Sequence, residues 1–547
     1  MYKVNLAEME IGVEEGRSVI SLIKEYDPTK EEKVIACKVN NEIKTLNYEI
    51  QDDSNIEYIY TESSEGIRIY RKALSLILIK AVEDLYPNVK VIINYAVNEA
   101  LYCEFKGIDI IDEFVVSVRN RMKEIIEENM PIIKKVMPRN AVRKMYKEDG
   151  HLEKLSLLNS SLDTHLAIYY LDTTYGYFYG KLPISTGYMK VFELKKFGDG
   201  ILLMYPDKEN VNHIKPSHTY TKLYGALRDN EKFYKQFHIR NIADVNDAIK
   251  SGKINEIIRI SEAMHEKKIA QIADMIKSDE NKRIVLIAGP SSSGKTTFAQ
   301  RLGVQLKVNN LNPITISVDN YFVEREDNPV DENGEYDFEC LEAVDLELFN
   351  DHLTKLLNGE EIEMPEFNFT TGHKEYKGNK VKMNEGDVLV IEGIHCLNDK
   401  LTEKIPLENK FKIFICALTI LNIDRYNRVS TTDTRLIRRI IRDNRFRSYP
   451  IDKTIAKWKS VRRGEDKYIY PYQESADVIF NSAFPYEFAI FRTFLEPLLL
   501  SITQDSKYYS DVKRLYEMVS LFLPLETKDI PINSILREFT GEGCFYR

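Results

Sequence analysis

Short apolar runs alternate with segments of helical spacing in the C-terminal half of the chain. Arg283–Ala288, Pro313–Val318 and Val388–Ile391 have the length and apolar character of buried strands. Thr297–Leu302, which follows the first run, has the pattern of the first turns of a helix. Strands that alternate with helices predict an α/β fold with a doubly wound parallel sheet.

The N-terminal segment has a different pattern. Ser18–Tyr26 has helical apolar spacing, whereas Val34–Val39 and Ile43–Tyr48 have the character of strands. Asn40, Asn41 and Glu42 separate these two strands and predict a hairpin turn. A compact β-grasp module fits this pattern.

Two long helices are predicted between these regions. Gly66–Leu85 opens a mixed α/β stretch, and Ile254–Ile276 repeats apolar residues at helical spacing. The second helix either connects two domains or lies at the periphery of the domain that follows, and the pattern is compatible with both. We predict a β-grasp domain at 1–62, an α+β domain at 63–230, connecting helices at 231–280, the α/β domain at 281–505 and a C-terminal helical tail at 506–547 that packs on it.

Composition narrows the class of protein. The chain has 547 residues, of which 43% are hydrophobic and 29% charged, so we expect several globular domains rather than extended disorder. A net charge of −9 argues against a general role in coating polyanions. Six cysteines without a C-x-x-C pair suit a reducing compartment. With neither a secretory signal pattern nor a membrane-length apolar run, we expect a cytoplasmic protein.

The strongest motif joins the first apolar strand to its helix. Gly289-Pro290-Ser291-Ser292-Ser293-Gly294-Lys295-Thr296 matches the phosphate-binding loop G-x-x-x-x-G-K-[ST] in the expected strand–loop–helix context. The glycines allow backbone N–H groups to converge on phosphate oxygens, and the start of the helix adds partial positive charge. We expect this loop, with Thr297 beside it, to bind ATP. Lys295 would reach the β- and γ-phosphates, and Thr296 would ligate Mg²⁺.

Two carboxylates follow apolar strands of the predicted sheet. Asp319 comes directly after the second strand, and Glu392 ends the third. Ligands of doubly wound sheets gather at the carboxyl ends of the strands, so both acids are predicted near the γ-phosphate. Asp319 could deprotonate an acceptor hydroxyl or help to hold Mg²⁺, and Glu392 could contact Mg²⁺ directly or through water.

A helix with many arginines is predicted from Thr431 onwards. Arg435, Arg438, Arg439 and Arg442 fall at spacings that share one face of this helix. Only Arg439 has an acidic partner four residues later within the helix, Asp443. Arginines that are largely unpaired suit a lid over transferring phosphates.

These motifs together identify a resemblance. The segment 281–500 resembles the uridine kinase / phosphoribulokinase superfamily; the matching pieces are the phosphate loop, Ser317–Phe322, Asp337–Glu339, Ile391–His395 and Asp433–Arg439. The resemblance implies that Asp319 receives the proton of a 5′-hydroxyl and that Lys295, Arg435 and Arg438 act on the transferring phosphoryl group. It also implies that Arg442 contacts ATP.

The same resemblance implies a set of acceptor-binding residues. Glu339 stands where these kinases usually have an Asp that bonds the ribose hydroxyls, and Phe367 matches an aromatic that contacts the pyrimidine. In these kinases a nearby histidine contacts the base. At the matching position this chain has Gly372, and His373 comes one residue later, so a preference for pyrimidines does not follow from the resemblance. The predicted substrate-binding residues are Tyr321, Glu339, Phe367, Phe369 and His373.

A second resemblance concerns the N-terminal half. The β-grasp module, a helix that contains Arg71-Lys72-Ala73-Leu74 and the sequence Gly180-Lys181-Leu182-Pro183-Ile184-Ser185-Thr186-Gly187 resemble the β-grasp and editing domains of threonyl-tRNA synthetases. The family's editing ligands are His and Cys. By our register this chain has Lys72, Leu76, Phe178 and Leu182 in their place, so we do not expect deacylation. A scaffold for regulation, oligomerisation or binding, including binding of RNA, is the expectation.

The leading hypothesis is therefore an ATP-dependent kinase that phosphorylates the 5′-hydroxyl of a ribonucleoside, with uridine or cytidine as the expected acceptor. Two alternatives stay open: a kinase of another hydroxyl substrate such as a sugar phosphate, and a nucleotide-sensing RNA-binding regulator. The expected partners are a small-molecule nucleoside and a second copy of the chain, and no membrane.

Overall fold

The computed structural model describes residues 1–97, 100–161, 163–215, 220–330, 334, 336–368 and 371–545. Its N-terminal module is one five-stranded sheet with a helix across it. The elements are β1 (Tyr2–Leu6), β2 (Met9–Val13), α1 (Val19–Tyr26), β3 (Val34–Val39), β4 (Glu42–Lys44) and β5 (Ser54–Tyr60). The strand order is β2-β1-β5-β3-β4, with β1 and β5 parallel. This is the predicted β-grasp topology. The strand expected to reach Tyr48 ends at Lys44, because Leu46 and Tyr48 turn back to accept hydrogen bonds from the start of α1.

The next region contains two separate antiparallel sheets around a long buried helix. Its elements are α2 (Ser64–Leu85), β6 (Lys90–Val97), β7 (Ala100–Lys106), α3 (Asp112–Glu127), β8 (Ile132–Pro138), α4 (Arg139–Glu148), α5 (Leu152–Leu158), β9 (His165–Leu171), β10 (Thr174–Tyr177), β11 (Glu193–Phe197), β12 (Gly200–Met204) and α6 (Thr221–Gln236). The sheets have the orders β10-β9-β8 and β11-β12-β7-β6. The α+β character expected of this region is therefore observed.

The C-terminal half is built on a parallel sheet. Its elements are α7 (Ile242–Lys250), α8 (Ile254–Lys277), β13 (Ile284–Ala288), α9 (Lys295–Val308), β14 (Asn312–Ser317), α10 (Leu346–Leu357), β15 (Glu361–Asn368), β16 (His373–Lys382), β17 (Asp387–Glu392), β18 (Lys410–Cys416), α11 (Thr431–Arg447), α12 (Ile451–Tyr468), β19 (Val478–Asn481), α13 (Glu487–Leu500), α14 (Tyr509–Val519) and α15 (Arg537–Thr540). The five strands in the order β14-β17-β13-β18-β19 are all parallel, and β15 and β16 form a separate hairpin.

Successive residues of the central strand supply two different cores. Val285 and Ile287 of β13 belong to the core that contains the buried faces of α8, α9, α11 and α13. Ile284 and Leu286 belong to the opposite core, which contains the buried face of α10. Because side chains alternate across a strand, a strand buried on both faces is apolar at every position. The doubly wound fold predicted from the sequence is confirmed.

The helix α8 packs directly on this parallel sheet. Ile269, Ile272 and Ile276 lie in the same core as β13. Arg301 of α9 forms an ion pair of 2.7 Å with Glu266 of α8. This agrees with the interpretation of α8 as a peripheral helix of the α/β domain. The predicted domain boundaries stay predictions.

The C-terminal tail packs on the α/β domain and also contacts the β-grasp module. Phe539 of α15 is buried in the core shared with α11 and α13. The backbone N–H of Ile43, in the β-grasp module, donates to the hydroxyl of Ser510 at 3.1 Å, and Lys513 of α14 pairs with Glu42 at 2.6 Å. Within the described ranges, no helix is long and apolar enough to cross a bilayer.

Candidate active site

The phosphate-binding loop lies at the carboxyl end of β13, as predicted. A Cβ atom on Gly289 would lie 2.0 Å from the carbonyl oxygen of Ile415, so only glycine fits against the neighbouring strand. Gly294 has a φ of +89° and turns the loop into α9. Lys295 folds back over the loop, where its Nζ donates to the carbonyl of Gly289 at 2.9 Å. The Thr296 side chain is exposed at the start of α9.

Two buried ion pairs support this loop from below. Arg435 of α11 donates to both carboxylate oxygens of Glu465 on α12, and it also donates to the carbonyl of Ser291 at 3.2 Å. Glu465 in turn accepts the N–H of Ser291 at 3.0 Å. Burial alone would raise the pKa of Glu465, but Arg435 holds it below its ordinary value. Arg435 therefore fixes the backbone of the loop.

Arg438 has the same role at the next turn of α11. Its guanidinium donates to Glu487 of α13 at 3.0 Å and to the carbonyl of Ser482 at 2.9 Å. Both Arg438 and Arg435 are 0% exposed. The prediction that these two arginines form an unpaired lid is therefore wrong. Their acidic partners lie 49 and 30 residues away in sequence, so no pattern within the helix could reveal them.

A different set of arginines carries charge beside the loop. Arg439 donates to the hydroxyl of Ser291 at 2.8 Å. Arg439, Arg442 and Arg447 all contact Asp443, at 3.3, 3.0 and 3.5 Å. One carboxylate shared by three guanidinium groups leaves net positive charge next to the phosphate loop. The sequence placed Arg442 in the site, but it missed the contact that Arg439 makes to the loop.

The two predicted carboxylates come together on neighbouring strands. Glu392 at the end of β17 pairs in register with Ser317 of β14, whose hydroxyl donates to it at 3.0 Å. Asp319 follows two residues later in an exposed position of the cleft. Burial and then Asp319 raise the pKa of Glu392 to about 7, while Lys295 acts in the opposite direction. Although the Asp319 side chain reaches solvent, the protein atoms around it reduce its hydration and raise its pKa as well, and Lys295 opposes that increase.

These residues fit a hydrated divalent cation. Asp319 and Glu392 make each other harder to ionise, and a bound cation would neutralise the negative charge that they develop. The exposed hydroxyl of Thr296 lies at the start of α9, the helix that follows the loop. Among the described residues, no group of three or more His, Cys, Asp or Glu side chains could hold a metal ion. Mg²⁺, which keeps several waters and takes phosphate oxygens as ligands, suits such a sparse site.

Glu339 lies against α12, the helix that also carries Glu465. Burial, followed by repulsion from Glu465, raises the pKa of Glu339 to about 7, and Arg439 opposes the increase. A Cβ atom on Gly464 of α12 would lie 2.5 Å from the Cβ of Glu339, so the absence of a side chain at 464 lets Glu339 lie against α12. The charges of Asp319 and Lys295 also act on the pKa of Glu339: Asp319 raises it and Lys295 lowers it.

The predicted aromatic residues separate into different environments. Phe367 of β15 packs edge-to-face on Phe322, with ring centroids 5.6 Å apart, beside the end of β14. Tyr321, expected among the pocket aromatics, is instead 1% exposed, and its hydroxyl pairs with Nδ1 of His352 at 3.1 Å. The order of side chains around this turn points Tyr321 into the core. That prediction is corrected: Tyr321 supports the strand end.

His373 lies at the rim of the cleft. Its Nδ1 is 2.7 Å from the carboxylate of Glu324, and the side chain is 53% exposed. The predicted contact residue Phe369 lies outside the residues that the structure describes.

Comparison with known proteins agrees with this geometry. Residues 284–485 match the model of the Phosphoribulokinase / Uridine kinase family. The matched segment comprises the parallel sheet, the phosphate loop and the arginine helix α11, and we refer to it as the kinase-family domain.

The N-terminal half matches different proteins. A stretch of 260 residues, 47% of the chain, is 23% identical to a threonine–tRNA ligase of Francisella tularensis subsp. holarctica, and a ligase from subsp. tularensis is 24% identical over the same length. The chain spans 39% of the length of these relatives.

Two solved structures are similar to part of this chain. One, described as a Possible Uridine Kinase from Bacillus stearothermophilus, is 17% identical and has a TM-score of 0.26, with 39% of this chain and 100% of that chain covered. The other, D-glycerate 3-kinase from Cryptococcus neoformans, is 14% identical and has a TM-score of 0.20, with 48% and 90% covered. Nothing about the substrate follows from scores this low.

Proposed function

We propose that the chain is an ATP-dependent kinase that transfers the γ-phosphate to the 5′-hydroxyl of a ribonucleoside, and that uridine or cytidine is its preferred acceptor. The observation that carries the proposal is the position of Asp319 and Glu392 at the carboxyl ends of neighbouring parallel strands, beside the phosphate loop over which Lys295 folds. A carboxylate base, a cation site and a phosphate-binding lysine around one open cleft suit phosphoryl transfer to a small hydroxyl acceptor.

In this proposal each group has one task. The loop amides and Lys295 hold the triphosphate of ATP, while Thr296 and Glu392 hold Mg²⁺. When bound, Mg²⁺ neutralises charge on the phosphate oxygens. Asp319 accepts the proton of the attacking hydroxyl, and its raised pKa makes it a better base than an ordinary aspartate. Glu339 accepts hydrogen bonds from the ribose hydroxyls, and Phe367 lies against the base.

Arg439, Arg442 and Arg447 complete the phosphate site in place of the buried arginines. Arg439 donates to the hydroxyl of Ser291, and all three arginines share Asp443. Partial neutralisation by one carboxylate leaves them able to bind phosphate oxygens, for which the planar guanidinium is well suited. Arg435 and Arg438 act through the loop backbone and are positioning residues.

The test is a panel of acceptors assayed with MgATP, using Asp319→Asn and Lys295→Ala. We expect uridine or cytidine to be phosphorylated and both variants to lose turnover while the thermal unfolding midpoint is kept. Asp327→Asn and Lys307→Ala are matched controls, because both residues are exposed and outside the cleft. Turnover of Lys295→Ala at the wild-type rate would refute the mechanism.

A second candidate is a kinase of a sugar phosphate. Arg447 is half exposed near Asp319 and contributes to lowering its pKa, so a cation is available for an acceptor that carries its own phosphate. Transfer to a phosphorylated sugar but not to uridine or cytidine would favour this candidate. RNA binding by the N-terminal half and homo-oligomer formation stay predictions. Tight binding of RNA without any phosphoryl transfer would favour the regulator hypothesis instead.

A further inference from the structure

A large cavity separates the N-terminal half from the kinase-family domain. Its volume is about 2250 Å³, and its lining includes Arg71 on α2, Tyr205 after β12 and Arg428 before α11. The N-terminus of α11, Ser430–Asp433, opens into the same space. This region of the cavity is distinct from the phosphate loop, which lies against the middle of α11.

Five basic side chains converge where the cavity meets α11. Arg68, Arg71, Arg428 and Arg514 line the cavity, and the fifth, Lys72, does not line it but is near enough to Arg71, Arg514 and Arg68 for their charges to act on it. Arg514 is paired with Asp433 at 2.6 Å and with Asp511 at 3.2 Å, and Arg68 lies 3.6 Å from Asp511. Arg68 also lies 3.6 Å from Glu65. The three carboxylates that form ion pairs here are therefore taken up by two of the five cations.

The positive charges of Arg71 and Arg428 are not neutralised by ion pairs of this kind. Across the described residues of the chain, neither guanidinium has a carboxylate within 4.0 Å. Arg71 lies over the ring of Tyr205, 5.8 Å from its centroid. The Nε of Arg428 is a buried atom without a hydrogen-bond partner. A buried donor of a charged group that lacks a partner is costly, and a bound anion would supply the acceptor.

The electrostatic state of Lys72 agrees with an anion site. Its Nζ lies against the backbone of Gly180, where a Cβ atom would be 2.5 Å away. Burial, followed by repulsion from Arg71, Arg514 and Arg68, lowers the pKa of Lys72 to about 7. The surrounding cations therefore make it difficult to keep one more positive charge here, and an anion would reverse that effect.

The end of α11 adds to this field. Ser430 is the residue before the helix, and its side chain does not cap the helix. The first N–H groups of a helix carry partial positive charge and are favourable partners for anions. In this position the contribution supports the arginine cluster.

We propose that this cavity binds a phosphate-bearing small molecule through Arg71 and Arg428, as an effector site separate from the phosphate loop. Phosphate is favoured over a monocarboxylate because two guanidinium groups and a helix N-terminus offer more donors than one carboxylate can accept from. The helix α11 links the two sites, since its later turns hold the loop through Arg435 and Arg438. Occupancy of the cavity is therefore expected to change the affinity for MgATP.

We use inorganic pyrophosphate as the probe ligand. Binding is measured in the Lys295→Ala variant, because this change weakens the binding of pyrophosphate at the phosphate loop. Binding is followed by titration calorimetry and by the fluorescence of Trp458, the single tryptophan of the chain, which also lines the cavity. We expect saturable binding that Arg71→Gln or Arg428→Gln weakens by about tenfold or more, since each removes a charge-assisted hydrogen-bonding group. The measurement does not depend on kinase activity, so it is independent of the proposed function.

Two further variants make the result specific. Lys459→Gln removes an exposed cation from the same cavity outside the cluster and is expected to leave pyrophosphate binding unchanged. Arg428→Lys keeps the charge and is expected to bind better than Arg428→Gln, which guards against a folding defect. Equal binding by the parent and by the Arg71→Gln/Arg428→Gln double variant would overturn the proposal. So would binding of an RNA oligonucleotide that depends on these arginines in a chain that does not bind pyrophosphate.

Discussion

Replacing Glu392 with Gln is expected to stabilise the kinase-family domain while it abolishes the activity. In the folded chain the pKa of Glu392 is about 7, compared with an ordinary value of 4.5. The ionised carboxylate is thus less favourable in the folded than in the unfolded chain, by about 3 kcal/mol at most, since one pKa unit corresponds to about 1.4 kcal/mol. Because Glu392 is partly accessible to water, we expect a measured gain of about 1–2 kcal/mol.

The sign of this effect depends on pH. Below pH 4.5 the carboxyl is neutral in both states, and Gln has no advantage. Between pH 4.5 and the folded pKa of about 7, the unfolded chain releases this proton while the folded chain keeps it, so the wild-type chain loses stability that the Gln variant keeps. The loss is complete just above pH 7, where both states are ionised. The advantage of Glu392→Gln should therefore be small at pH 5 and large at pH 8.

The assay is urea unfolding without Mg²⁺ at both pH values, followed by the fluorescence of Trp458, which lies on α12 within the kinase-family domain. Glu385→Gln, an exposed change just before β17, is the control and should leave the free energy of unfolding unchanged. Addition of Mg²⁺ with ATP should stabilise the wild-type chain and have little effect on the variant. A variant that is less stable than wild type at pH 8, or equally stabilised at pH 5 and 8, would refute the reasoning.

Two other substitutions test the site. Arg438→Ala should destabilise the domain by about 3–5 kcal/mol, because it leaves Glu487 buried without its partner. Arg445→Ala, on the exposed side of α11, is the control. Equal losses of unfolding free energy in both variants would show that the buried pair has no special role. Gly464→Ala should raise the KM for the acceptor more than the KM for ATP, because the new methyl group would displace Glu339, and overpacking of this kind costs about 1–3 kcal/mol. Gly225→Ala, a helical glycine with open space around it, is the matched control, and an unchanged acceptor KM in Gly464→Ala would remove Glu339 from the acceptor site.

Much of the fold could be predicted because its signals are local. The apolar runs at β13, β14 and β17 mark strands buried on both faces, and the phosphate loop is specified by consecutive residues. Asp319 and Glu392 were found for a related reason: the carboxyl ends of parallel strands share one edge of the sheet, so a strand-end acid can be placed without knowing its neighbours. The β-grasp topology likewise followed from a hairpin and one amphipathic helix.

The sequence alone therefore determined the fold class, the phosphate loop and the acids of the candidate site. Only the tertiary structure decided what the arginines of α11 do, because the partners of Arg435 and Arg438 come from α12 and α13. It also decided that Tyr321 faces the core, since helical or strand periodicity does not reach into the turn that follows β14. The charge of a side chain is written in the sequence, but whether that charge is neutralised depends on residues that meet only after folding.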